Sequence, residues 1–102
     1  MAKAHAKNQL QVYGWDKDQW GCLEQLWTAE SNWRPNAKNK QAVKIVREGK
    51  AIKVYAGGIP QILGLNPKTT VVRQIELGLT YIQKRYSSPC KAMKFHKKHN
   101  WY

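Results

Sequence analysis

Four prolines decide where helices can run in this chain. They stand at positions 35, 60, 67 and 89 of 102 residues. A proline inside a helix removes a backbone donor and clashes with the preceding turn. Any helix must therefore fit between these points or begin at one of them. The length suits one small domain and leaves no room for two.

Residues 1 to about 14 are polar and basic with no clear period. They read as a loose N-terminal arm, 1–14, ahead of a domain over 15–102. From Asp16 or Asp18 to Ser31 the pattern is helical. Trp20, Leu23, Leu26, Trp27 and Glu30 share one face, and the aspartates sit where a helix start favours negative charge. Arg34 is pushed out of the helical region by Pro35, which closes the segment.

Residues 42–55 change period. Val43 and Ile45, then Ile52 and Val54, alternate with their neighbours around Arg47-Glu48-Gly49-Lys50, the pattern of a β-hairpin. A short helix over 41–47 is the competing reading. Gly57-Gly58-Ile59-Pro60 excludes a helix interior, and Pro60 suits the first position of a short helical turn through Leu63. Asn66-Pro67 reads as the cap and first residue of the next helix. Its core face is Val71 or Val72, Ile75, Leu79, Ile82 and Tyr86, and it stops before Ser87-Ser88-Pro89. A last helix from near Pro89 carries Ala92, Met93, Phe95 and His96 towards Trp101-Tyr102. The predicted fold is mainly α, with one inserted hairpin.

Eighteen Lys and Arg oppose six Asp and Glu, a formal charge of +12. Such a chain is drawn to polyanions. Nucleic acid, an anionic membrane surface and an anionic cell wall all qualify. No apolar run approaches the ~18 residues of a membrane span. The first residues carry basic side chains with no apolar stretch behind them, which argues against an ordinary secretory signal. Cys22 and Cys90 have no metal-ligand spacing. Two buried thiols, or one long-range disulfide in an oxidising place, both fit.

Carboxylate chemistry must draw on Asp16, Asp18, Glu24, Glu30, Glu48 and Glu76. Glu30 is the odd one, because it falls on the apolar face in line with Leu23. Desolvation there would raise its pKa and suit it to general-acid work. The plainer reading is a side chain swung out to solvent from the last turn. No second carboxylate is placed opposite it, whereas ordinary glycosidases use two. His96 and His99, three apart, could share one helix face as metal ligands, but no Asp, Glu or Cys except the distant Cys90 has a companion spacing. Surface or partly buried histidines are the plainer reading for them and for His5. No phosphate-binding glycine loop is present.

The run Cys22-Leu-Glu-Gln-Leu-Trp-Thr-Ala-Glu30-Ser31-Asn-Trp33 resembles the catalytic helix of lytic transglycosylases with the soluble-transglycosylase, lysozyme-like fold. Trp33 and Ala37 fit that family's aromatic and alanine. Gly58-Ile59-Pro60-Gln61-Ile62 and Gly78-Leu79-Thr80-Tyr81-Ile82 are similar to its next two motifs. Arg85-Tyr86-Ser-Ser-Pro-Cys90 and Asn100-Trp101-Tyr102 resemble the ending of a phage and actinobacterial branch, which carries cysteines at the places of Cys22 and Cys90. The likeness covers about 15–102. The hairpin over roughly 40–55 departs from it, since the branch has only a short link there.

The resemblance implies a lysozyme-like small α+β domain that cleaves peptidoglycan glycan strands. Glu30 would protonate the bond between N-acetylmuramic acid and N-acetylglucosamine. It would then act as base on the C6 hydroxyl, which closes a 1,6-anhydro ring and needs no second acid. Ser31, Trp33, Tyr55, Gln61 and Tyr81 are the substrate-binding positions so implied. Without the resemblance Ser31, Gln61 and Tyr81 read as cap, loop and core. A Cys22–Cys90 disulfide is implied, and no metal or cofactor. Virion or tail proteins of a phage are possible partners, and the place of action is a virion or the cell wall or periplasm. The alternatives are a lysozyme-type hydrolase of the same bond, or a non-catalytic basic virion or nucleic-acid-binding component on the same scaffold.

Overall fold

The computed structural model describes residues 2–38, 43–66 and 68–99. In chain order the elements are α1 (Ala2–Gln9), a 3-10 turn (Leu10–Tyr13), α2 (Gln19–Ser31), β1 (Val43–Arg47), β2 (Lys50–Val54), β3 (Ala56–Gly57), β4 (Ile62–Leu63), α3 (Val71–Tyr86) and α4 (Pro89–His99). The protein is thus mainly helical with small antiparallel β elements. No helix among the described residues is long and apolar enough to cross a membrane.

The first correction falls at the N-terminus. The expected loose arm is α1 and its 3-10 turn, and Ala6 and Leu10 are buried in the common core. Tyr13 reaches α3, where its hydroxyl donates to Glu76 O at 3.2 Å, and Gln83 Nε2 donates back to Tyr13 O at 3.3 Å. Trp15 Nε1 donates to Ser87 O at 2.8 Å. The segment therefore belongs to the body it was expected to precede.

The helical face of α2 is as the period predicts: Leu23, Leu26 and Trp27 are fully buried. They pack with Ile59, Ile75, Leu79, Ile82 and Ala92. The helix stops at Asn32, whose left-handed backbone (φ 53°) lets its N–H reach Thr28 O at 2.9 Å. Asn tolerates that region. Trp33 repeats it at φ 60°, where a bulky residue is strained. Its ring offsets the strain by packing on Trp27 and Trp20, with centroids 5.3 and 5.7 Å away.

β1 and β2 pair antiparallel from Val43↔Val54 to Arg47↔Lys50. Glu48 (φ 54°) and Gly49 (φ 76°) form the two-residue loop, and positive φ at both is what a right-twisted hairpin requires. The expected helical turn after Pro60 is replaced by a second small hairpin. Gly57 pairs with Ile62, and Gln61 N donates to Gly58 O at 3.2 Å across the loop. Pro60 sits where no ladder donor is needed.

α3 begins four residues later than its proline suggests. Thr70 is the cap, accepting from Arg73 N at 3.2 Å, while Asn66 Oδ1 accepts from Lys68 N in a turn of its own. Pro67, Asn100, Trp101 and Tyr102 lie outside the described residues.

Gly78 lets α3 approach the core closely. A Cβ there would stand 2.6 Å from Trp27 Cζ2 and 2.7 Å from Pro60 Cβ. Gly78→Ala should therefore destabilise the fold by about 1–3 kcal/mol through overpacking. Urea unfolding measures it, and an unchanged midpoint would contradict the close approach.

Candidate active site

Glu30 occupies the last turn of α2, and α4 packs alongside. Its side chain is only 15 % exposed, and Oε1 lies 3.2 Å from Nε2 of His96, which is equally covered. Burial pushes the Glu30 carboxyl up to about 7. The same cause holds His96 below the ordinary imidazole value. Both shifts favour the uncharged forms. Near neutral pH the two groups therefore meet as a carboxyl and a neutral imidazole more than as an ion pair.

These shifts set how stability depends on pH. The folded chain holds the Glu30 proton more tightly than the unfolded chain. Stability is therefore lost as pH rises from the ordinary glutamate range through about 7. His96 works in the other direction: the unfolded chain binds its proton more readily, so stability is lost as pH falls through the ordinary histidine range. Glu30→Gln should accordingly melt above wild type in mildly alkaline buffer, with the gap closing in acid. Thermal melts across pH check this, and a gap independent of pH would remove the desolvation argument.

The residue after Glu30 fixes the helix end to the loop that follows β3. Ser31 Oγ donates to Ile59 O at 2.6 Å and also lies 3.2 Å from Trp27 O. Gln61, in the same loop, folds back: Nε2 donates to Gly58 O at 2.8 Å and to Ala37 O at 3.2 Å. Trp33 is 8 % exposed, and its Nε1 donates to Thr28 Oγ1 at 3.1 Å. Ser31, Trp33 and Gln61 thus anchor the backbone around Glu30. Tyr81 is half-buried on α3. The Arg85 guanidinium lies 5.9 Å from its ring, and burial, with Tyr86 beside it, raises its hydroxyl pKa.

Tyr55 stands elsewhere. It lines a cavity of about 620 Å³ between Pro35–Lys38, the end of β2 and Gly64–Asn66. The Lys38 ammonium sits 4.4 Å over its ring, and Lys53 joins the lining. Ala37 and Gly58 are shared between this wall and the Gln61 hydrogen bonds. The lining described for this cavity does not include Glu30, Ser31, Trp33, Gln61 or Tyr81.

The remaining carboxylates have other surroundings. Glu24 lies 3.7 Å from Lys3, and Glu76 lies 3.1 Å from Arg73. Asp16 and Asp18 are exposed ahead of α2, and Glu48 is exposed in the hairpin loop. Among the described residues no three His, Cys, Asp or Glu side chains converge as metal ligands.

Two residues that matter here escape a sequence reading. Gln74 is buried on α3, where Oε1 accepts from Ile59 N at 2.9 Å and Nε2 donates to Pro35 O and Thr69 O, each at 3.1 Å. It ties together three loops around the site. Its signal was available: a polar residue beside Ile75 and one turn before Gly78, on the inward face, just as Glu30 is on α2. His96 is the other, and its neighbour is 66 positions away in sequence.

Comparison with protein-family models, with curated protein sequences and with solved structures returns no match.

Proposed function

We propose that the protein is a peptidoglycan-cleaving enzyme, a lytic transglycosylase, with Glu30 as general acid and then base. The observation that carries this reading is the Glu30 carboxyl itself: desolvated, retaining its proton up to about pH 7, and fixed at a helix end by Ser31 and its loop. Glu30 protonates the glycosidic oxygen between N-acetylmuramic acid and N-acetylglucosamine. The C6 hydroxyl of the muramic residue attacks C1, and its proton returns to Glu30. An internal nucleophile needs no carboxylate-held water. That agrees with five other acids that are exposed or paired with cations.

The cavity at Tyr55 is of the size that holds a small ligand, about 300–1,000 Å³, and would seat part of the glycan or its peptide. Exposed lysines at 44, 50 and 53 on the hairpin and at 91, 94, 97 and 98 on α4 suit an anionic wall. The Cys22–Cys90 disulfide supports action in an oxidising place, at the wall or from a phage virion.

Digested sacculi decide the reaction. Muropeptides ending in 1,6-anhydro-N-acetylmuramic acid, lighter by one water and resistant to borohydride, are the expected products. Reducible ends would make the protein a lysozyme, with Glu48 or Glu76 the first residue to mutate. The same exposed lysines support a second reading, a non-catalytic binder of polyanions. Intact sacculi after prolonged incubation, with the protein bound to them, would favour it.

A further inference from the structure

The proposed reaction uses Glu30 and leaves His96 without a task. Yet the fold places His96 with some care. The disulfide joins Cys22 to Cys90 near the starts of α2 and α4, and Cys90 N donates to Gln19 Oε1 at 2.9 Å. Glu30 and His96 meet near the other ends of the same helices, so α2 and α4 run side by side in the same direction. Ala92, one turn before His96, is fully buried in the common core. Phe95 is packed on Tyr86, with centroids 5.3 Å apart, which limits rotation of α4 against α3.

We propose that His96 is a positioning residue for Glu30: its Nε2–H donates to Oε1, so that Oε2 carries and receives the proton used in cleavage. The proposal rests on the catalytic reading above. In the first half of the reaction the Oε2 proton passes to the leaving oxygen as the bond to C1 breaks. In the second the C6–O bond to C1 forms and the hydroxyl proton returns to Oε2. His96 keeps its own Nε2 proton throughout and gains none. Its hydrogen bond becomes charge-assisted while Glu30 is a carboxylate, so it strengthens as the acid gives up its proton.

The pair also fixes both sides of the pH profile. α2 contributes Glu30, while Glu24 on that helix lies beside Lys3. α4 contributes His96, exposed lysines and, three residues on, His99, whose ring lies 4.2 Å from that of Phe95. α3, packed on α4, contributes Tyr81, Tyr86 and the guanidinium of Arg85, which lies 5.7 Å from the Tyr86 ring. Of these, Glu30 and His96 are the two that meet at the contact, and burial drives both towards their uncharged forms. Ionisation of Glu30 removes the acid and lowers the rate on the alkaline side. Protonation of His96 puts a positive charge beside an oxocarbenium-like transition state and lowers it on the acid side.

The test is kcat and KM on sacculi or soluble glycan strands across that pH range, for wild type, His96→Gln and His96→Leu. Gln keeps an N–H donor and does not titrate; Leu removes the donor. Leu should lower kcat by about 10²-fold with KM little changed, and Gln should restore most of the loss. The acidic limb should be absent in the Gln variant. Wild-type kcat in a folded Leu variant, or an acidic limb that survives in Gln, would overturn the proposal. If the Leu variant does not fold, the acidic limb of the Gln variant decides alone. A wild-type chain that leaves every glycan substrate intact overturns the catalytic reading and this proposal together. An active enzyme indifferent to His96 overturns this proposal only.

Discussion

Replacing Glu30 by Gln should lower the rate of wall cleavage by about 10²–10⁴-fold, the usual worth of a positioned general acid and base. The amide keeps the shape of the carboxyl, and its burial needs no desolvation of a charge. The fold should therefore persist, and stability in alkaline buffer should rise. Loss of activity with gained or equal stability separates a chemical role from a structural one. Release of soluble muropeptides from sacculi, measured beside a thermal melt, provides both readings. Undiminished release from the folded variant would end the assignment.

The second large effect belongs to the disulfide. Cys22 and Cys90 are bonded with a sequence separation of 68 and a Cα–Cα distance of 4.9 Å. In the chain-entropy model a closed loop of that length destabilises the unfolded state by about 4 kcal/mol. For a domain of this size that is a large share of the ~5–15 kcal/mol expected in total. Serine at both positions should therefore shift the urea midpoint strongly downwards. It should also loosen α4 against α2 and so blunt the Glu30–His96 contact. Mass spectrometry of the non-reduced protein should show two hydrogens missing. Two thiols that alkylate freely without denaturant would contradict the bond.

The parts of the fold legible in the sequence are those set by local chemistry. The β1–β2 hairpin declared itself because strand alternation and the Glu48-Gly49 loop agree. The face of α2 did so because its apolar spacing is regular. α1 was not legible: its buried residues are Ala6 and, just beyond, Leu10, among lysines and amides that hide a period. The start of α3 misled because Asn66 and Thr70 are both good caps. Only the turn that Asn66 makes with Lys68 and Thr69 shows which one the helix uses. The Pro60 loop misled because proline suits a helix start and a hairpin loop alike. Pairing of Gly57 with Ile62, not local preference, decides between them. At the candidate site, Glu30 was visible as an acid on an apolar face. His96 was not, since helix periodicity says nothing about which face of a later helix will meet it.

The β1–β2 hairpin enters and leaves the body at one place, because Val43 is paired with Val54. Partners across an antiparallel ladder stand about 4.5–5.5 Å apart whatever lies beyond them. The ribbon can thus shorten or lengthen by two pairs at a time, which keeps the same kind of closing pair at its two-residue loop, without altering the gap its base must span. Such a change leaves the register of the remaining pairs and the helices untouched. Reach and charge at the tip are therefore free to drift through insertion and deletion, while the geometry around Glu30 stays fixed.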